Sequence, residues 1–145
     1  AQQVEIRQSA QLSGIHDDIL EFQEGYETTI GERGVKLSGG QRQRLTLARA
    51  LLCQRPILII DDGLSAVDVE TEHEVFANLR KLFTNQTVII VSNRIKLLSV
   101  TDRIIVLEAG TIDCMGTHSE LLEKSRLYRA MYDKQMADNH KVSSP

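Results

Sequence analysis

The chain has 145 residues, 41% of them hydrophobic and 26% charged, with a formal net charge of −3. This is the composition of a globular domain long enough to bury a core, and the slight acidic balance argues against a broad polyanion-binding surface. No apolar run approaches the roughly 20 residues of a membrane-spanning helix.

The longest apolar run, Ile57 to Ile60, stops at Asp61-Asp62, so a membrane link would come through a partner or another segment. Cys53 and Cys114 lack metal-ligand spacing and read as two buried free thiols of a reducing compartment. The chain opens Ala1-Gln2-Gln3, without an initiator Met or a signal peptide, and reads as a piece of something longer.

Residues 1 to about 24 are polar and weakly helical, with Ala10, Leu12, Ile15, Ile19 and Leu20 as apolar contacts. Glycines and a scarcity of large apolar residues mark Gly25 to Leu37 as a loop. Ser38 followed by Gln41 is a capping-box pattern, and Leu45, Ala48, Leu51 and Leu52 give the ensuing helix its apolar face. Pro56 ends that region. Ile57-Leu58-Ile59-Ile60 is short, apolar and β-branched, as suits a parallel strand buried on both faces. Val75, Phe76, Leu79, Leu82 and Phe83 recur at helical spacing, and Val88-Ile89-Ile90-Val91 reads as a second buried strand. A short helix is expected over Ile95 to Ser99. Strands over Arg103 to Leu107 and Thr111 to Met115 are joined by a Glu108-Ala109-Gly110 turn. Thr117 with Glu120 repeats the capping box, and helix is expected from there to about Ala137. The tail from Asp138 is polar and reads as disordered.

Strand, helix, strand, helix, strand is the rhythm of an open α/β sheet, in which chemistry collects at the carboxyl ends of the strands. Asp61-Asp62 and Ser92-Asn93 follow the two most apolar strands and are the candidates there. Ser38-Gly39-Gly40-Gln41 adds a hydroxyl, unblocked N–H groups and a helix N-terminus, a combination that suits a phosphate. Taken alone, that segment reads first as a capped helix after a glycine turn.

Leu37-Ser38-Gly39-Gly40-Gln41-Arg42-Gln43-Arg44 resembles the signature motif of ABC-type ATPases residue for residue, and leads into Ala48-Arg49-Ala50-Leu51 as in that family. Thr28 to Gly34 resembles the stretch that precedes the signature in ABC exporters. Ile57 to Asp61 is similar to a Walker B strand, Ser65-Ala66-Val67-Asp68 to a D-loop, and Val91 to Arg94 to the switch loop. Gly116 to Leu121 resembles the ending of exporter domains. The resemblance covers about Ala10 to Tyr132. It implies an α/β fold: a partial P-loop NTPase (RecA-like) parallel sheet flanked by helices, preceded by part of the ABC helical subdomain. The corresponding divisions are 1–52, with the signature; 53–137, the second half of the ATPase core; and a polar tail, 138–145.

The resemblance further implies head-to-tail pairs of nucleotide-binding domains with two ATP molecules between them. Ser38, Gly39, Gly40 and Gln41 would then meet ATP held by a partner domain. Asp61 would help hold Mg²⁺ through water, and Ser65 and Asp68 would lie at the dimer interface. Two departures stand out. The family places Glu after the Walker B Asp, to polarise the attacking water, and this chain has Asp62. Losing a methylene draws the carboxylate back by roughly a bond length, and about 1 Å of misplacement can cost about a hundredfold in rate. The switch position usually carries His, and here it is Asn93, which hydrogen-bonds but carries no proton or positive charge. Both catalytic candidates, Asp62 and Asn93, fall in the chain's own composite site, whereas the signature serving the other site is intact. Heterodimeric exporters with one degenerate site show this pattern; the alternative is that Asp62 and Asn93 still serve a slow but adequate homodimer.

No Gly-x-x-x-x-Gly-Lys-Ser/Thr occurs in the sequence, so the phosphate-cradling loop is absent and the 145 residues alone are expected to be inactive. The missing early strands would also leave an exposed sheet edge. His16, His73, His118 and His140 are scattered and read as surface or helix-end residues. The Arg42, Arg44, Arg49 and Arg55 cluster has acidic neighbours, so nucleic acid is not the expected partner. Met131 and Tyr132 read as core contacts. The expected setting is the cytoplasmic face of a membrane, beside the transmembrane domains of an exporter. A regulatory ATP-sensing module and a DNA-maintenance ABC ATPase are the alternatives.

Overall fold

The computed structural model describes residues 2–32, 34–82 and 86–142. Phe83, expected on the helix after the first strand, lies outside these residues. By packing, the chain forms two compact units, Ala1–Val91 and Ser92–Pro145.

In the first unit the polar N-terminal stretch forms α1 (Gln3–Leu12) and α2 (His16–Glu21). Ala10, Ile15, Ile19 and Ala48 are buried together, with Phe22, Tyr26 and Leu45 packed on them. A single 3-10 turn, Gly25–Glu27, follows, and the loop then folds back so that Val35 N–H donates to the Thr29 carbonyl at 3.0 Å. A Cβ at Gly34 would fall 2.0 Å from that same oxygen, so only glycine fits. Helix α3 (Gly39–Leu52) starts with the expected capping box: Ser38 Oγ accepts from Gln41 N–H, and Gln41 Oε1 from Ser38 N–H.

Strand β1 (Ile57–Asp61), helix α4 (Val69–Leu82) and strand β2 (Thr87–Val91) complete this unit. The two strands pair in parallel, with Ile59 opposite Ile89 and Asp61 opposite Val91. Burial on both faces is not observed. Leu58, Ile60, Val88 and Ile90 are buried or half-buried, but Ile57, Ile59, Ile89 and Val91 share an exposed face, Ile59 at 63%. Alternating direction is forced by the strand's two-residue period, and among the described residues of this unit only one of the two faces is covered. Cys53, expected to be buried, is exposed just past the end of α3, and Cys114 is half-buried.

The second unit begins with the short helix α5 (Ile95–Leu98). Strands β3 (Ile104–Glu108) and β4 (Thr111–Gly116) form an antiparallel hairpin. Ala109 and Gly110 both have positive φ, 48° and 80°, as a two-residue type I′ connection requires. Helix α6 (His118–Lys124) has its capping box from Thr117 and Glu120. The helix expected to run unbroken to Ala137 is instead interrupted at Ser125 and resumes as α7 (Arg126–Val142), passing beyond Ala137. Ser125 is buried and extended; its hydroxyl donates to the Asp113 carboxylate at 2.9 Å and accepts from Tyr128 N–H at 3.1 Å. One serine thereby ends α6 and caps α7. Ile95, Ile104, Val106, Leu121 and Tyr128 form the core, and Met131 and Tyr132 pack against it as expected.

No described helix is long and apolar enough to cross a membrane. Leu121 is 0% exposed and Leu107 67% exposed. Leu121→Ala is expected to cost about 3 kcal/mol in urea unfolding, whereas Leu107→Ala should stay within about 0.5 kcal/mol. Equal losses from the two would contradict this account of the core.

Candidate functional site

The start of α3 lies against the segment that follows β1. Ser38 is exposed, and its N–H and Oγ are both engaged with Gln41. Its hydroxyl proton is a further donor. The N–H groups of Gly39 and Gly40 fall in the first turn, where a helix offers no backbone acceptor. Gly40 has a packing role as well: a Cβ there would lie 3.0 Å from the Ala66 carbonyl oxygen. Gln41 has less freedom than a free amide, because Nε2 donates to Asp18 Oδ1 at 2.8 Å while Oε1 accepts from Ser38. Asp18 also receives Arg44 Nη1 at 2.7 Å, so α2 holds this helix start in place.

Gln43 faces the other way, bonding Ser65 Oγ at 3.0 Å and Ala66 N–H at 2.8 Å. Neither Asp18 nor Gln43 was singled out from the sequence. Their partners lie more than 20 residues away, and nothing local signals such a pairing.

Asp61 closes β1 with its side chain exposed. Asp62, also exposed, adopts φ 48°, and its N–H donates to the Val91 carbonyl at 3.0 Å. Asp enters the left-handed region more readily than most residues, so the backbone gives a local reason for a short side chain at this position. Ser65 N–H donates to the Asp62 carbonyl at 3.2 Å. Asp68 precedes α4, and its Oδ1 accepts from Thr71 N–H at 2.9 Å. The exposed carboxylates of Asp61 and Asp62 can attract hydrated cations, and the N–H groups at the α3 N-terminus can receive anions.

Asn93 belongs to the second unit. Its side chain is exposed and its carbonyl accepts from Gln135 Nε2 at 2.6 Å, while Gln135 Oε1 takes Ile95 N–H at 2.9 Å. Gln135, on α7, thus fixes the turn that presents Asn93. The four histidines include two whose rings meet tyrosines: His16 Nδ1 with Tyr26 OH and His118 Nδ1 with Tyr128 OH, both at 2.8 Å.

The Thr71 backbone and then its side chain hold the Asp68 carboxyl below its ordinary value of 3.8. A depressed pKa adds stability above the unfolded value, lost as pH falls through the folded one. Urea unfolding of wild type and Asp68→Asn should therefore show a wild-type advantage at neutral pH that shrinks below about pH 4. Parallel stabilities across that range would show that the charge contributes nothing to the cap.

The family model described as ABC transporter matches residues 2–65. The multidrug resistance-like ATP-binding protein MdlA of Escherichia coli (strain K12) is 49% identical over 95% of this chain and 23% of its own length. The alpha-hemolysin translocation ATP-binding protein HlyB of Escherichia coli is 48% identical over 88% of this chain and 18% of its own. The structure of a bacterial Atm1-family ABC exporter with ATP bound superposes with a TM-score of 0.85 at 36% identity, over 93% of this chain and 24% of that one. The chain thus spans about a quarter or less of the length of these relatives. Together with the capped glycine helix start and the paired parallel strands, these likenesses place the chain in the ABC transporter family, among exporter-type ATP-binding domains.

Proposed function

We propose that this chain is part of the ATP-hydrolysing engine of a membrane exporter. Its helix start at Ser38, Gly39, Gly40 and Gln41 meets ATP held on a second nucleotide-binding domain. The observation that carries this reading is the capped, glycine-faced N-terminus of α3, with Ser38 exposed. The residues present fit a triphosphate and its metal. Ser38 and the two glycine N–H groups are donors at the positive end of a 14-residue helix. Asp61 is an exposed carboxylate suited to Mg²⁺ that retains water. In this reading Gln41 contributes mainly by holding Ser38, since its amide is already shared between Ser38 and Asp18. Ser65 and Asp68 lie where the partner domain approaches.

Asp62 and Asn93 weaken the chain's own composite site, so it binds ATP but turns it over slowly while supporting hydrolysis in a partner's site. The partner is a second, different ATP-binding domain, and transmembrane domains supply the membrane link from the cytoplasmic side. The 145 residues alone hydrolyse no ATP, because the phosphate-cradling loop is not among them.

The test is steady-state ATPase of the full-length parent chain without a partner, comparing wild type with Asp62→Glu plus Asn93→His. Little turnover in wild type and at least a tenfold rise in the double variant are expected. Thermal melts alongside register any strain from Glu at the left-handed position. Brisk wild-type turnover, unchanged by the substitutions, would replace the degenerate site with a working homodimer. Absence of turnover in both, with both folded, would favour a regulatory ATP-sensing module.

A further inference from the structure

Gln43 lies one turn into α3 and takes no part in the capping box, yet both ends of its amide are occupied. Nε2 donates to Ser65 Oγ at 3.0 Å and Oε1 accepts from Ala66 N–H at 2.8 Å. A single planar group thus grips two consecutive residues, one through its side chain and one through its backbone. The backbones are close at the same place: Cβ atoms at Gly40 and Gly39 would lie 3.0 Å from the Ala66 oxygen and 3.2 Å from Ala66 Cβ. On the loop side, Ser65 N–H reaches the Asp62 carbonyl and Asp62 N–H reaches the Val91 carbonyl, at 3.2 and 3.0 Å. Hydrogen bonds therefore run without a break from the ends of β1 and β2, through the 62–66 loop, into the first turns of α3.

We infer that Gln43 is a positioning residue. It fixes the α3 N-terminus against the loop after β1, so that Ser38, Gly39 and Gly40 move as one piece with Asp61 and Asp62. This rests on the composite-site reading, in which the two groups serve different ATP molecules. Gln43 then links the site a chain completes to the site it owns. Gln43 is half-buried at the surface of its unit, so losing its hydrogen bonds loosens the helix start without unfolding the domain. Loosening matters for catalysis because a shift of about 1 Å can cost about a hundredfold in rate.

The experiment uses the parent transporter with its partner domain and three variants. Gln43→Met keeps length and volume but has no strong donor or acceptor. Gln43→Glu keeps an acceptor for Ala66 N–H and for a Ser65 hydroxyl turned to donate. Ser38→Ala removes a group that would meet ATP directly. Gln43→Met is expected to lower kcat roughly tenfold, a partial form of that misplacement cost, with the KM for ATP and the melting temperature nearly unchanged. Gln43→Glu should recover most of the loss, and Ser38→Ala should also lose turnover. Wild-type kcat in Gln43→Met beside a crippled Ser38→Ala would overturn the positioning role and leave the composite site standing. Equal losses in Met and Glu would overturn it too, by showing that hydrogen bonding is not what matters. Wild-type turnover in both Gln43→Met and Ser38→Ala would remove the composite-site reading, and this inference with it.

Discussion

Helix α3 must start within hydrogen-bonding reach of the loop after β1, and glycine makes that approach possible. Any Cβ at position 40 would press on the Ala66 carbonyl at 3.0 Å. With that space open, Gln43 reaches Ser65 and Ala66 on one side while Asp18 holds Gln41 and Arg44 on the other. The helix start is thus held from both flanks by side chains, while Ser38 at its tip stays exposed. A phosphate is not required to explain why Gly40 is glycine, but a helix start built this rigidly is well suited to receive one.

Much of this was legible locally. Ser38 with Gln41 and Thr117 with Glu120 announce caps that the structure forms, because a capping box is complete within four residues. The β-branched runs at Ile57–Ile60 and Val88–Val91 give strands in parallel register. Met131 and Tyr132 pack against the core, as expected of them on the C-terminal helix.

What was missed depends on partners distant in sequence. Ser125 breaks a helix that periodicity would continue, because Asp113 on β4 engages its hydroxyl. The apolar run at β1 reads as buried on both faces, yet Ile57 and Ile59 are exposed, since composition reports what a surface suits and not what covers it. Of the site, the residue types at Ser38–Gln41 and Asp61–Asp62 were readable. The roles of Asp18, Gln43 and Gln135 were not, because each spans more than 20 residues to its partner.

Asp62 has two explanations that coexist. Its left-handed backbone, φ 48°, favours a short polar residue, and its short side chain withdraws the carboxylate from where the family's longer Glu would hold it. In the degenerate-site proposal, a relaxed demand for turnover lets position 62 settle on the residue its backbone prefers. In that proposal the chain still serves its partner through the start of α3, where Ser38, Gly40, Gln41 and Gln43 are held by the cap, by packing and by tertiary hydrogen bonds.

The central claim is that this helix start meets ATP bound to another domain. Amide hydrogen exchange across residues 37–43 of the parent transporter, with and without a non-hydrolysable ATP analogue, tests it most directly. The account predicts slower exchange of Gly39 and Gly40 with nucleotide, and only when the partner domain is present. Unchanged exchange in the nucleotide-bound, partner-containing transporter would contradict it.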